Sequence, residues 1–340
     1  MRHPAPSFAD RVPRAALVLA VAAAAALAAA CRDSGAPPAG AKKPLTIAVV
    51  PMGTTHEFWK AIHAGAVTAG RELGVRIIWK GPLRETDRNE QIQIVETLTG
   101  SGIDALVLTP LDDRALVRPV LEAKKLGIPT VIFNTALKGG DTAAFIATDN
   151  WQGGVLAAER VGALTGGRGR IIVIRCTEGV EGTMQREEGF LATVRAKFPG
   201  LTILSDNQYA GTSTEGAFQT TENLLARFPS VDAFFTPNES TTFGCLRALQ
   251  GHGLAGKVVH VGFDSSAKLV EALARRELQG LVLQDPVGMG YLSVKTAVAC
   301  LRGEPFEKTV ATAVVLATPE NMNDPSIHKL LVPDLSILKD

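Results

Sequence analysis

From Leu45 onward, short runs of β-branched and other apolar residues alternate with longer segments whose apolar positions recur at helical spacing. LTIAVV, RIIWK, ALVLTP, TVIFN and FIATD read as strands in the first half of the chain, and RIIVIRC, LTILSDNQY, AFFTPN, VVHVGFD and GLVLQD in the second. Several are apolar at every position. That is the pattern of parallel strands covered on both faces, whereas a strand with one wet face alternates. Segments such as Asp112 to Lys125 and Ala217 to Arg227 carry helical spacing between them. Repeated strand–helix units of this length predict an α/β fold of doubly wound parallel sheets. Ten strands with a pause near Thr148 to Gln152 predict two such sheets, and TAVVLAT near residue 315 adds one late strand.

Ligands of open α/β sheets sit beyond the carboxyl ends of the strands, so the residues that follow each strand are the candidates for chemistry. Strand one leads through Pro51 into TTHEFWKAIHAG, with Phe58 and Trp59 at the start of a helix. Strand four ends in Asn134-Thr135, the sixth in Arg175-Cys176 ahead of MQREEGF, the eighth in Asn238-Glu239, the ninth in Asp264 and the tenth in Gln284-Asp285. Any one of these is ordinary as a helix cap or turn. Six together describe a wall of aromatics, amides, a carboxylate and an arginine. Aromatic faces cover the C–H side of a sugar ring, while forked amides, carboxylates and guanidinium groups pair adjacent hydroxyls. The composition fits a polyhydroxylated ligand better than a dry, apolar one.

The His-Glu pair in TTHEFWKAIHAG raises the question of a metal. A zinc helix places two His four apart on one face. His56 and His63 are seven apart, about two helical turns and roughly 10 Å of rise, too far to share an ion. No metal or cofactor is expected. Nor is there a Ser-His-Asp spacing, a nucleophile elbow or a phosphate loop, and GGRGR at 166–170 precedes a strand where a dinucleotide loop follows one. The chain is not expected to be an enzyme.

The first residues bear on location. Arg11 and Arg14 precede an uncharged run from Ala15 to Ala30, and then comes Cys31. A charged start, a short apolar run and small residues before a cleavage point describe a secretory signal. Leu27-Ala28-Ala29-Ala30-Cys31 resembles a bacterial lipobox, with the large aliphatic residue one place early, so Cys31 is expected to be acylated and to become the mature N-terminus. Two or more acyl chains hold firmly to a bilayer. Residues 31–44 are rich in Gly, Pro and Ala and read as a flexible tether. With 35 Lys and Arg against 34 Asp and Glu, the charge balance offers nothing to nucleic acid. Cys176, Cys245 and Cys300 are too few for a disulfide framework and read as small buried apolar residues.

From about Leu45 to Thr318 the chain resembles the ribose-binding type of periplasmic solute-binding protein, which feeds ABC importers. FW after strand one, LGIPTVIFN, FIATDNWQGG, REEGF, NESTTFGCLRALQ, HVGFD and LQDPVGMG carry the likeness, all in the family's order. The resemblance implies two doubly wound domains joined by three hinge crossings, near Thr148, Gln284 and residue 315, with the ligand cleft between them. The implied organisation is a signal peptide over 1–30 and a lipidated N-terminus and tether over 31–44. One lobe follows from 45–148 with 285–314, and another from 149–284 with 315–340.

By the same matching Phe58, Trp59, Arg186, Asn238, Asp264 and Gln284 fall on sugar-contact positions. His56 falls where the ribose type carries a polar contact, and Thr212 near an aromatic contact position. Asn134-Thr135 stands where sugar-binding members typically carry Asp-Arg, which makes ribose itself doubtful and points to a modified, larger or less usual sugar or polyol. The implied partners are that small molecule, an ABC permease with its ATPase, and a membrane reached through the lipid anchor only. A monomer, periplasmic or extracytoplasmic, is expected. An extracytoplasmic receptor that reports sugar to a membrane sensor is the alternative. A repressor of the same fold needs a DNA-binding helix-turn-helix ahead of the first strand, where this chain has its signal segment. The tail from Asn321 to Asp340 lies beyond the resemblance, and its LLVPDL predicts packing against the body.

Overall fold

The structure, a computed structural model, describes Met1 and residues 43–339. The expected signal peptide, Cys31 and nearly all of the tether lie outside the described residues.

Two six-stranded sheets organise the body. The first contains β1 (Thr46–Val50), β2 (Arg76–Trp79), β3 (Ala105–Leu108), β4 (Thr130–Phe133), β5 (Ala144–Thr148) and β11 (Thr309–Thr312), in the order β11-β5-β4-β3-β1-β2. The second contains β6 (Arg168–Arg175), β7 (Gly200–Tyr209), β8 (Ala233–Phe235), β9 (Val259–Phe263), β10 (Gly280–Gln284) and β12 (Val314–Ala317), in the matching order β12-β10-β9-β8-β6-β7. All pairs are parallel except β10 with β12.

Sequence pattern and burial agree on why these strands lie inside. In β1, Ile47 and Val49 pack into one core with Val107, Phe133 and Ile146. Ala48 and Val50 pack into another with Leu106, Leu108 and Ile132. The first core is closed by α1 (Glu57–Leu73) and α9 (Pro286–Arg302), the second by α2 (Arg88–Gly100) and α3 (Val117–Lys125). Across the second sheet, α4 (Asn150–Thr165) and α5 (Glu181–Lys197) cover one face. The other is covered by α6 (Thr214–Arg227), α7 (Glu239–Gly251) and α8 (Ala267–Ala274). The central strands so enclosed, β1, β3, β4, β8 and β10, bury every side chain, which explains their unbroken apolar runs, whereas the edge strands β2, β7, β11 and β12 stay partly exposed.

The helix pairs on the matching faces meet through glycine. A Cβ on Gly65 of α1 would overlap the carbonyl of Val287, and one on Gly290 of α9 that of Ile62. In the second domain Gly154 of α4 is pressed against the carbonyl of Arg186, and Gly189 of α5 against that of Trp151.

The sheets are connected where β5 leads to α4, where β10 leads to α9, and where β11 leads through Ala313 into β12. The last connection corrects the reading of TAVVLAT as one strand: its Thr312 closes the first sheet and its Val314 to Ala317 joins the second. It also explains the antiparallel pair. A strand running toward the cleft in one domain enters the other from its cleft side, and so runs against the strands there.

After β12 the chain forms α10 (Pro325–Leu331), which packs on the second domain with Leu331 buried and the Leu330 carbonyl accepting from Ser265 Oγ at 3.3 Å. The short 3-10 turn Ser336–Leu338 lies on α1 of the first domain, where Arg71 Nη2 donates to the Ile337 carbonyl at 3.2 Å. Among the described residues the cysteines are free; Cys176 and Cys245 are buried and Cys300 is partly exposed.

Candidate functional site

Two strands that occupy equivalent places in their sheets, β4 and β9, end in the same way. Asn134 and Asp264 have φ of 63° and 66°, a left-handed conformation that Asn and Asp tolerate better than other non-glycine residues. The Asn134 N–H donates to Ile146 O at 2.8 Å, and the Asp264 N–H to Val282 O at 2.9 Å. Each strand thus turns sharply while its backbone stays in the ladder, and each side chain lines the cleft.

From the first domain, the loop after β1 brings His56 to the N-cap of α1, followed by Phe58 and Trp59, whose rings meet edge to face with centroids 4.9 Å apart. His56 makes no side-chain cap. Its Nδ1 lies 2.8 Å from Glu85 Oε1, which also accepts from Trp59 Nε1 at 2.6 Å. Burial opposes a charge on His56, but the Glu85 hydrogen bond and the charges of Glu85, Glu239 and Asp264 outweigh it and raise its pKa to about 9. It is an imidazolium at neutral pH. His63, two turns along, stacks on Trp79 at 4.5 Å and stays outside the cavity, with burial lowering its pKa. Among the described residues, no three His, Cys, Asp or Glu side chains form a metal cluster.

The second domain supplies the rest. Arg186 on α5 is buried, with Nε donating to Asn150 Oδ1 at 2.8 Å, Nη1 donating to Pro237 O at 2.9 Å, and the guanidinium 4.4 Å from the Phe263 ring centroid. These contacts fix the fork in place before any ligand arrives. Burial pushes its pKa down against the pull of Asp264, and an arginine remains charged. Asn238 caps α7: its Oδ1 accepts from Thr241 N at 3.2 Å, and Nδ2 donates to Ser240 Oγ at 3.2 Å. The wall position is therefore also a helix cap, and the two readings of that residue hold together.

Asp264 is fixed by both oxygens. Oδ1 accepts from Gln284 Nε2 at 2.6 Å and Oδ2 from the Glu239 N–H at 2.9 Å; burial raises its pKa while Arg186 opposes the rise. Gln284 Oε1 in turn accepts from Thr148 Oγ1 at 2.8 Å, and Thr148 lies 3.3 Å from the hydroxyl of Thr312. One side-chain network thus runs from the cleft through all three connections between the sheets.

Glu239 opens α7 and reaches across to the first domain. Its two oxygens accept from the backbone N–H groups of Glu57 at 3.5 Å and Phe58 at 3.3 Å, at the end of α1 that His56 leaves uncapped. Burial raises its pKa to about 7, with His56 opposing and Asp264 adding to the rise.

All nine expected ligand positions, His56, Phe58, Trp59, Asn134, Thr135, Arg186, Asn238, Asp264 and Gln284, line this one cavity, as does Thr212. Glu85, which sequence reading missed, and Glu239 and Cys176, noted there as strand-end residues but not among the expected contacts, complete its lining; burial pushes the Cys176 thiol pKa up. The centre of a water-sized sphere has about 40 Å³ to move in, a space of roughly 200 Å³ once the sphere's radius is added back. A neighbouring cavity, in which the centre of the same sphere has about 420 Å³ to move in, shares Phe58, Asp264 and Gln284, but its other walls are largely apolar and include Leu330 to Pro333 of the tail.

Residues 47–305 match the family described as periplasmic binding protein domain. The ribose import binding protein of Bacillus subtilis is 26% identical over 279 residues, covering 82% of this chain and 89% of that protein. Among solved structures, a carbohydrate transporter solute binding protein from Agrobacterium radiobacter, in complex with D-arabinose, is 34% identical with a TM-score of 0.82. That match covers 86% of this chain and 100% of the other. An ABC transporter solute binding protein from Agrobacterium vitis with bound D-fucose is 32% identical with a TM-score of 0.80, covering 84% and 100%.

Proposed function

The chain belongs to the periplasmic binding protein domain family, a family of binding proteins and not of enzymes, and from that premise we propose that it captures one monosaccharide or small polyol for an ABC importer. The observation that carries this reading is the single cavity where aromatic faces from one domain meet Arg186, Asp264 and Gln284 from the other. Phe58 and Trp59 cover a ring face, and the polar groups take its hydroxyls. The nine expected positions are the proposed contacts.

Both domains contribute to the wall, so the ligand favours the closed arrangement by the difference between its affinities for closed and open forms. A closed body is then what the permease and its ATPase would recognise. Three carboxylates against His56 and Arg186 disfavour sugar acids and sugar phosphates. Secretion by residues 1–30, acylation at Cys31 and a tether to Pro44 would hold the monomer outside the cytoplasmic membrane, with lobes divided as the resemblance implies.

Thermal shift and intrinsic fluorescence of the mature protein against pentoses, hexoses, deoxy sugars and polyols test the proposal, since Trp59 lies in the cavity. One neutral monosaccharide or polyol is expected to move both signals, because a ligand that binds only the folded form raises its stability. A response confined to amino acids or other solutes would end the sugar assignment.

A further inference from the structure

Three carboxylates line the cavity, and the protein itself engages both oxygens of two of them. Asp264 accepts from Gln284 and from the Glu239 N–H, and Glu239 accepts from the N–H groups of Glu57 and Phe58. Glu85 differs. Its Oε1 takes both Trp59 Nε1 and His56 Nδ1. Its Oε2 has no hydrogen-bond partner among the described residues and is not sealed from solvent; Glu85 lines both this cavity and an open groove beside it formed with Arg88, Asp112 and Glu178.

The side chain as a whole is 9% exposed, and Oε2 is the carboxylate oxygen that gains no donor from the protein. A carboxylate oxygen only accepts, and leaving it unmatched once a ligand has displaced water from the cavity is costly. The group that completes it must bring an O–H or N–H. His56 has Nε2 as its remaining polar atom, and because the two N–H bonds of an imidazolium diverge, that donor points away from Glu85. A sugar hydroxyl, which donates as well as accepts, suits the carboxylate oxygen.

We propose that Glu85 is a specificity-determining residue whose free Oε2 accepts a hydrogen bond from one hydroxyl of the bound sugar or polyol. This rests on the sugar-binding reading and sharpens it. The ligand carries a hydroxyl on the side that faces the first domain, and a ligand lacking it is rejected because Oε2 is left without a donor.

Calorimetric titration of wild type, Glu85→Gln and Glu85→Ala tests it, using the best monosaccharide or polyol from the panel and its monodeoxy and mono-O-methyl analogues. Glu85→Gln keeps an acceptor for Trp59, and Trp59 emission without ligand reports whether the ring has moved. Glu85→Gln is expected to weaken the parent sugar about ten- to a hundredfold. One deoxy analogue should already bind wild type weakly and lose less than about twofold more on substitution, while the others suffer the full loss. Equal losses across every analogue would make Glu85 a positioning residue for Trp59 and overturn the proposal, as would parent binding within about twofold of wild type. If wild type binds no sugar or polyol, the sugar reading falls and this proposal with it; if wild type binds and the substitution changes nothing, Glu85 alone is wrong.

Discussion

Glu239 is held by two opposed effects whose sizes can be compared. Its carboxylate caps α1 from the opposite domain, but at 3.3 and 3.5 Å these are long bonds, at the low end of the roughly 0.5 to 2 kcal/mol typical of a cap. Against that stands burial, which raises the pKa from 4.5 to about 7, a difference of roughly 3 kcal/mol at most between the two protonation states. The folded protein therefore holds this proton more tightly than the unfolded chain does. The cost of ionising Glu239 is absent below about pH 4.5, grows between there and pH 7, and is full above pH 7.

Glu239→Gln keeps one acceptor for the cap and discards the charge, so desolvation decides the sign. At pH 8.5 the variant is expected to be more stable than wild type by about 1 to 2 kcal/mol, a rise in Tm of roughly 2 to 6 °C. At pH 5 the difference nearly vanishes. Glu239→Ala, which loses the cap as well, should fall about 1 kcal/mol below Glu239→Gln at both pH values. Circular-dichroism melts of the three proteins at pH 5, 7 and 8.5 measure this directly. A Glu239→Gln variant less stable than wild type at pH 8.5, or a difference independent of pH, would show that the charge stabilises the closed body and that the desolvation argument is mistaken.

His56 contributes in the same pH direction: with its folded pKa raised to about 9, its stabilisation is full below about pH 6.5 and lost as pH rises through 9, so His56→Gln should flatten the fall in wild-type Tm over that interval. Gly154→Ala presses a methyl into the Arg186 carbonyl and should cost about 1 to 3 kcal/mol while weakening ligand binding through the displaced guanidinium. Gly100→Ala, with open space around it, should gain about 0.5 to 1 kcal/mol; melts of the two variants separate close packing from backbone entropy. Thr148→Val removes the hydroxyl that Gln284 accepts from and should cost about 1 kcal/mol, with a measurable change in ligand affinity because Gln284 also holds Asp264.

The layered fold was readable because a strand enclosed on both sides has no polar face to display, and runs such as TIAVV and ALVL state that directly. The site was largely readable for a related reason: strand ends are where such a fold leaves polar side chains without a lattice partner, as Asn134, Asp264 and Gln284 are placed. Glu85 escaped because Arg84, Glu85, Asp87, Arg88 and Glu90 follow one another and look like a solvated loop. Only folding distinguishes the one that turns inward, toward Trp59. Glu239 was visible as a strand-end residue but its role was not, since an acid in the first turn of a helix suits that helix's own dipole, and nothing local indicates that it serves another helix. The split at Ala313 leaves no mark either: the side chains remain strand-like on both sides while the hydrogen-bond partners change sheets.

The tail gives this two-bodied molecule a leash. Leu331 is anchored in the second domain and Ser336 begins the turn that rests on α1 of the first. The five steps between them span at most roughly 18 Å when drawn straight. While both ends stay docked, the jaws can part on that side no farther than this length permits. A wider gape would require the turn to let go of Arg71, which makes the tail a restraint, outside both sheets, on the opening proposed above.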